Sequence, residues 1–287
     1  MLFIRALLGL FCLASTASAL LVRSYDMERH ARFASGYPDA PLANGSEAFL
    51  LAGHDLSGVG WNAANPSQSV ALLSPQHFVG ANHFRIGIGA TVHFLTPEGL
   101  LTSETVNAIT HIKNGEGENT DLYIGHLLQP VEGATPFAVT NLTELQLVGE
   151  TAYLYGKTAR VGTSTITAFQ DFGADPLTSG AGIQETRTFT TSYNSLGGAG
   201  DDARLESGDS GSPTFVIQEG QLALAGTHTA ILESGNLTTS YDSSVGSYLD
   251  QIQATLALDG YSLTVIPEPS TSLLLLSGLL PLLRRRR

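Results

Sequence analysis

The chain has 287 residues, 43% of them hydrophobic and 14% charged, with 31 glycines; this is the composition of a globular, turn-rich protein and excludes a disordered one. The formal charge is −12, and between positions 20 and 266 nine Lys and Arg stand against 25 Asp and Glu. So acidic a surface repels nucleic acid and anionic lipid, and neither is an expected partner.

The first 19 residues carry Arg5, an apolar stretch around the single cysteine, Cys12, and small side chains at Ala17 and Ala19. This pattern predicts a secretory signal peptide over 1–19, cleaved after Ala19. Its removal leaves no thiol, so the exported chain must be held by packing alone. Residues 20–45 are polar and irregular, interrupted by Pro38 and Pro41, and read as an N-terminal arm or leader.

Segments rich in Val, Ile, Thr, Tyr and Phe then recur at 70–73, 92–95, 122–127, 151–155, 164–169, 186–193, 214–217 and 222–227, separated by Gly, Pro, Asn and Asp. Their spacing predicts an all-β sandwich or pair of barrels across 46–262. Helices are expected only at 142–147 and at 245–258, where Val245, Leu249, Ile252 and Leu256 repeat at helical spacing. No repeat or low-complexity tract appears.

The last segment, 267–287, contains Pro267-Glu268-Pro269, an apolar run from Leu273 to Leu283, and Arg284 to Arg287. The run is short for a membrane span, which needs about 20 apolar residues, but the arginines would stop translocation on the cytoplasmic side. This tail resembles the PEP-CTERM sorting signal of Gram-negative bacteria. The resemblance implies transient membrane anchoring, processing by an exosortase-type enzyme after signal peptidase, and a bacterial protein delivered to the periplasm, cell surface or medium.

The strongest internal motif is Gly208-Asp209-Ser210-Gly211-Ser212-Pro213. Acyl transfer needs a nucleophile on a tight turn with backbone N–H groups aimed at the developing oxyanion, and glycines flanking a serine permit such a turn. A serine also needs a base whose ring is fixed by a carboxylate. His83, at the end of the segment Val70 to His83, and Asp121, in Asn119-Thr120-Asp121-Leu122, precede Ser210 in the order His, Asp, Ser.

Together these three segments resemble those of the trypsin-like serine proteases. The resemblance implies two packed six-stranded antiparallel β-barrels with a C-terminal helix. It makes Ser210 the nucleophile, His83 the general base, Asp121 the orienting carboxylate, and the N–H groups of Gly208 and Ser210 the oxyanion donors. The implied activity is a serine endopeptidase acting on protein or peptide substrates through an acyl-enzyme, without metal or organic cofactor. The alternative is a catalytically idle binding module of the extracellular matrix on the same fold.

Phe84 stands where the family has a cysteine, and Asn82 where it has alanine. His77 reads as a core residue. The remaining histidines, among them His30, His54, His93, His111 and His126, show no metal-ligand spacing. Arg204 falls at the family's pocket floor, and His228 at a position that contacts an acidic side chain in the glutamyl-endopeptidase branch. Together they imply a preference for acidic residues before the scissile bond; alternatively, Arg204 pairs with Asp201, Asp202 or Glu206 on the surface. Thr229 falls where the family has a hydroxyl supporting the aspartate. The family's new N-terminus pairs with the aspartate before the serine, here Asp209, yet no Ile-Val-Gly-Gly is present. Either the arm is cleaved elsewhere, or Asp209 finds another partner.

Overall fold

The computed structural model describes residues 19–173 and 182–266; the predicted signal peptide, apart from Ala19, and the predicted sorting tail lie outside them. The N-terminal segment is tied into the domain rather than loose. β1 (Leu21–Val22) pairs antiparallel with Arg204 and Ala203, and Leu20 is fully buried. A helical turn, Met27–His30, is capped by Asp26, whose carboxylate accepts the Arg29 N–H at 3.1 Å. β2 (Phe33–Ser35) and β3 (Leu42–Ala43) form a small hairpin. Between them and the turn, buried Arg32 donates to the Val59 and Leu56 carbonyls at 2.9 and 2.7 Å, which satisfies a guanidinium that could not otherwise be buried.

The first barrel consists of β4 (Val59–Asn62), β5 (Ser69–Ser74), β6 (His77–Ala81), β7 (Thr91–Leu95), β8 (Leu101–Lys113) and β9 (Asn119–Leu127). It closes in the order β4-β5-β6-β9-β8-β7, every pairing antiparallel.

The second half contains β10 (Ala138–Thr140), β11 (Thr151–Gly156), β12 (Arg160–Phe172), β13 (Thr186–Asn194), β14 (Ala203–Arg204), β15 (Pro213–Gln218), β16 (Gln221–Ser234), β17 (Leu237–Ser244) and β18 (Val265–Ile266). β15 pairs with both β11 and β16, so six antiparallel strands complete a circuit in the order β15-β11-β12-β13-β17-β16. β10 joins β16 and β18 by parallel pairings outside that circuit. The fold is therefore all-β with a small C-terminal helix, Leu249–Ala257.

All eight predicted segments lie within observed strands, and the helix predicted at 142–147 is a single turn, Glu144–Leu147, closed by a reciprocal Thr143/Gln146 capping box. β8 and β17 escape a hydrophobic reading for opposite reasons. β8 is partly solvated and mixes Thr, Glu, Asn and His with its apolar residues. β17 is largely buried, but through hydroxyls and a carboxylate, from Thr238 and Ser240 to Asp242, Ser243 and Ser244.

Strand alternation divides the core. In β5, Val70 and Leu72 fill the first barrel with Phe78, Phe94 and Tyr123, whereas Ala71 and Leu73 join the layer between the barrels. Likewise Leu154, Val216 and Ala223 face into the second barrel, while Tyr155, Phe215 and Leu224 face the first. The C-terminal helix completes this shared layer with Ile252 and Leu256, both fully buried. Phe137 and Phe215 meet there with ring centroids 4.7 Å apart. Replacing Phe215 by Ala removes the central ring of this layer and should cost about 3–5 kcal/mol of stability. Urea unfolding followed by the fluorescence of Trp61 measures it; a loss below about 1 kcal/mol would show that the barrels do not depend on this layer.

Candidate active site

His83 follows β6 in a short 3-10 turn, Asn82–Phe84, and Asp121 lies near the start of the neighbouring strand β9. Because Ala81 pairs with Leu122 across these two strands, the register brings the two residues together. His83 Nδ1 lies 2.9 and 2.8 Å from the two carboxylate oxygens of Asp121, and the His83 backbone N–H donates to the same carboxylate at 2.9 Å. Asp121 is 1% exposed, and its own N–H donates to Thr186 Oγ1 at 2.9 Å. An imidazole held in this way carries its proton on Nδ1 and leaves Nε2 as a base.

Asn82 has a structural task beside the histidine. Its amide donates to the Thr120 carbonyl at 3.2 Å and accepts from Arg85 Nη1 at 3.0 Å. It thus fastens the histidine turn to the residue before Asp121. Thr229 does not reach the aspartate; its hydroxyl meets Ser243 Oγ at 2.5 Å.

Ser210 comes from the opposite barrel, on the loop before β15. Gly208 and Gly211 have φ of +93° and +82°, values that favour glycine, and both hold the loop in its sharp turns. The loop is pinned from within. Asp209, fully buried, accepts the N–H groups of Lys157 at 2.9 Å and Glu206 at 2.7 Å, and the Lys157 ammonium donates to the Ser207 carbonyl. Among the described residues, no protein acceptor takes the N–H of Gly208 or Ser210. Two unspent donors beside a serine are what an oxyanion site requires.

Ser210, His83 and Gly208 line one cavity of about 430 Å³ together with Phe84, Leu205, Ala230 and Ile231. Arg204 is not among its lining residues. Its guanidinium turns to Glu206 at 2.9 Å, Glu233 at 2.6 Å and Thr238 Oγ1 at 2.6 Å, so the surface pairing with Glu206 holds and a cationic pocket floor does not. The reason is local: in the short strand β14 the side chain of Arg204 lies toward β17, and its successor Leu205 lines the cavity.

His228 does line the cavity, but both ring nitrogens are spent. Nδ1 faces Asp242 Oδ1 at 2.6 Å and Nε2 faces the Tyr155 carbonyl at 2.9 Å. Both partners are acceptors, which suits an imidazolium. Burial opposes that charge, yet Asp242 and then Asp209 outweigh it and raise the pKa above the ordinary histidine value. No N–H remains for a substrate carboxylate.

Burial has the reverse sense at Asp209. Desolvation pushes its pKa up to about 6, against the pull of His228, the two amides and Lys157. The first buried residue of the arm, Leu20, lies beside it: a Cβ placed on Gly156 would stand 2.5 Å from Leu20 Cβ and 2.8 Å from Asp209 Oδ1.

No family model matches the sequence, and no curated protein matches it. Sequence reading missed Lys157, one of only two lysines between positions 20 and 266, because nothing in its neighbourhood marks it. Buried at 4% exposure, it fastens the 206–210 turn from the 3-10 turn Lys157–Ala159 that follows β11. Lys157→Met keeps the side-chain bulk and removes that bond. It should lower the rate of fluorophosphonate labelling at Ser210 by about 10-fold or more, in keeping with the loss of one charge-assisted hydrogen bond at roughly 1.4 kcal/mol per decade, with unchanged near-UV circular dichroism. An unchanged labelling rate would remove Lys157 from the positioning of the loop.

Proposed function

We propose that this protein is a serine endopeptidase exported to the cell surface or beyond, cleaving proteins or peptides through an acyl-enzyme at Ser210. The observation that carries this reading is the Asp121–His83 pair facing the same cavity as a serine flanked by two unspent backbone donors. In this scheme His83 Nε2 takes the Ser210 proton as Oγ attacks the carbonyl carbon. The N–H groups of Gly208 and Ser210 hold the resulting oxyanion. His83 then gives its proton to the departing amine, and water repeats the sequence to release the acid. Asp121 keeps the imidazole oriented and stabilises its cation. These steps use only side chains and backbone of this chain.

The cavity favours an apolar side chain before the scissile bond. Leu205, Ala230 and Ile231 supply its walls, and Arg204 and His228, the two cations that could attract an acidic group, are engaged by protein partners. Processing fits the same frame. Cleavage after Ala19 would free the ammonium of Leu20 within the buried environment of Asp209, giving its carboxylate the counter-charge that two amides only partly provide. Signal peptide removal would then also mature the active-site loop.

Three outcomes test this reading. Wild-type protein should be labelled by a fluorophosphonate and hydrolyse peptides, and Ser210→Ala should lose both; a folded wild type that resists labelling would refute the catalytic claim. Among peptides differing only before the scissile bond, those with Leu or Phe should be cut at least 10-fold faster than those with Glu or Lys, and a preference for Glu would overturn the apolar pocket. In the unprocessed chain, the raised pKa of Asp209 adds stability below about pH 4 that disappears as pH rises through about 6. An ammonium at Leu20 favours the ionised form and removes that decline. The urea midpoint of the processed chain should therefore lack, between about pH 4 and 6, the decline that this group gives the unprocessed chain; parallel curves would separate Leu20 from Asp209.

A further inference from the structure

Two histidines far apart in sequence meet at the end of the first barrel remote from His83. His77 opens β6 and His126 lies near the end of β9, and the two are direct cross-strand partners. Their rings lie 4.7 Å apart between centroids. Asp259, just beyond the C-terminal helix, brings one carboxylate oxygen to within 2.9 Å of His77 Nε2 and 3.1 Å of His126 Nδ1. The three donor atoms all lie within 4.8 Å of one another.

We propose that His77, His126 and Asp259 form a zinc site that clasps the end of the C-terminal helix to the β6–β9 pair. Imidazole nitrogens and a carboxylate are the donors this ion takes, and three protein ligands with water in the fourth position make a common tetrahedral set. Bonds of about 2.0–2.2 Å place tetrahedral ligands roughly 3.3–3.5 Å apart, so the carboxylate has to withdraw by a few tenths of an ångström, and the two ring nitrogens, which lie within 4.8 Å of each other, have to settle at that spacing around the ion.

The outer contacts suit a metal as well. The nitrogen of each ring that faces away from the cluster meets a hydroxyl: Ser74 Oγ lies 2.7 Å from His77 Nδ1, and Thr110 Oγ1 2.9 Å from His126 Nε2. A hydroxyl can accept from a ring N–H, and such a bond orients a ligating imidazole and selects its free nitrogen. His77 is fully buried while the Asp259 side chain is 45% exposed. The site therefore has one rigid wall and one open edge, through which an ion and its water can enter.

The position gives the ion a structural task. From His77 to the end of β6 the strand advances about 3.3 Å per residue, so the cluster stands well away from the Asp121–His83 pair. The pairing of the two strands carries both. A zinc here would lock the chain between the C-terminal helix and β18, the last described segment before the predicted sorting tail. This proposal does not depend on the peptidase reading.

The purified protein, stripped with a chelator and titrated with zinc chloride by calorimetry near pH 7.5, should bind one equivalent with a Kd below 1 μM. Zinc should raise the melting temperature by several degrees, and calcium or magnesium should not. Cobalt(II) should give the intense visible bands of a tetrahedral ion, which zinc then bleaches. His126→Gln should weaken zinc binding at least 100-fold; if that variant fails to fold, Asp259→Asn, altered at the exposed edge, should weaken it at least 10-fold. No saturable binding, or an affinity that both variants leave unchanged, would reduce the three residues to a hydrogen-bonded contact and overturn the proposal.

Discussion

The packing of one barrel against the other is the interaction on which the rest of this molecule depends. Each barrel supplies part of the candidate site: His83 and Asp121 come from the β6–β9 pair of the first, and Ser210 with its two backbone donors from the loop before β15 in the second. The layer built from Leu73, Val79, Phe215 and Leu224, together with the bond from the Asp121 N–H to Thr186, fixes these groups relative to one another. The layer has a double use because strands alternate. Each strand that touches it buries its other face inside its own barrel, so both the interior of a barrel and the interface between barrels are written on the same few residues.

Buried charge is managed by a second set of contacts. Arg32 is satisfied by carbonyls, His228 by Asp242 and a carbonyl, Asp209 by amides and the nearby Lys157. Of these groups His228 and Asp209 border the cavity that Ser210 lines, and with both turned toward protein partners it is largely Leu205, Ala230 and Ile231 that face a ligand there. Burial of the arm at Leu20 belongs to the same system, since Leu20 lies beside the Asp209 carboxylate, whose charged form desolvation disfavours.

The β6–β9 pair joins the two ends of the first barrel. At one end its register brings His83 to Asp121; at the other, the same register sets His77 against His126, with Asp259 arriving from the C-terminal helix. A strand pair is stiff along its length, which makes it a suitable frame for two sites that each need donors held to within a few tenths of an ångström.

Much of this was legible in the sequence. The alternating segments located eight strands, helical spacing located Ile252 and Leu256, and the motifs around His83, Asp121 and Ser210 singled out residues that the structure sets together as a hydrogen-bonded pair and a shared cavity. These signals are local: a turn needs glycine, and a half-buried strand needs alternation, whatever the rest of the chain does. The direction of Arg204, the saturation of His228, the role of Lys157 and Asn82, and the meeting of His77 with His126 and Asp259 are of another kind. Each depends on which partner another strand, loop or helix presents at contact distance, and a charged or polar side chain reads the same in sequence whether that partner is a substrate, a carbonyl or a carboxylate. Only the tertiary structure decided among them, because hydrogen bonds and charge pairing act over a few ångströms and chain proximity does not encode which distant residues share that space.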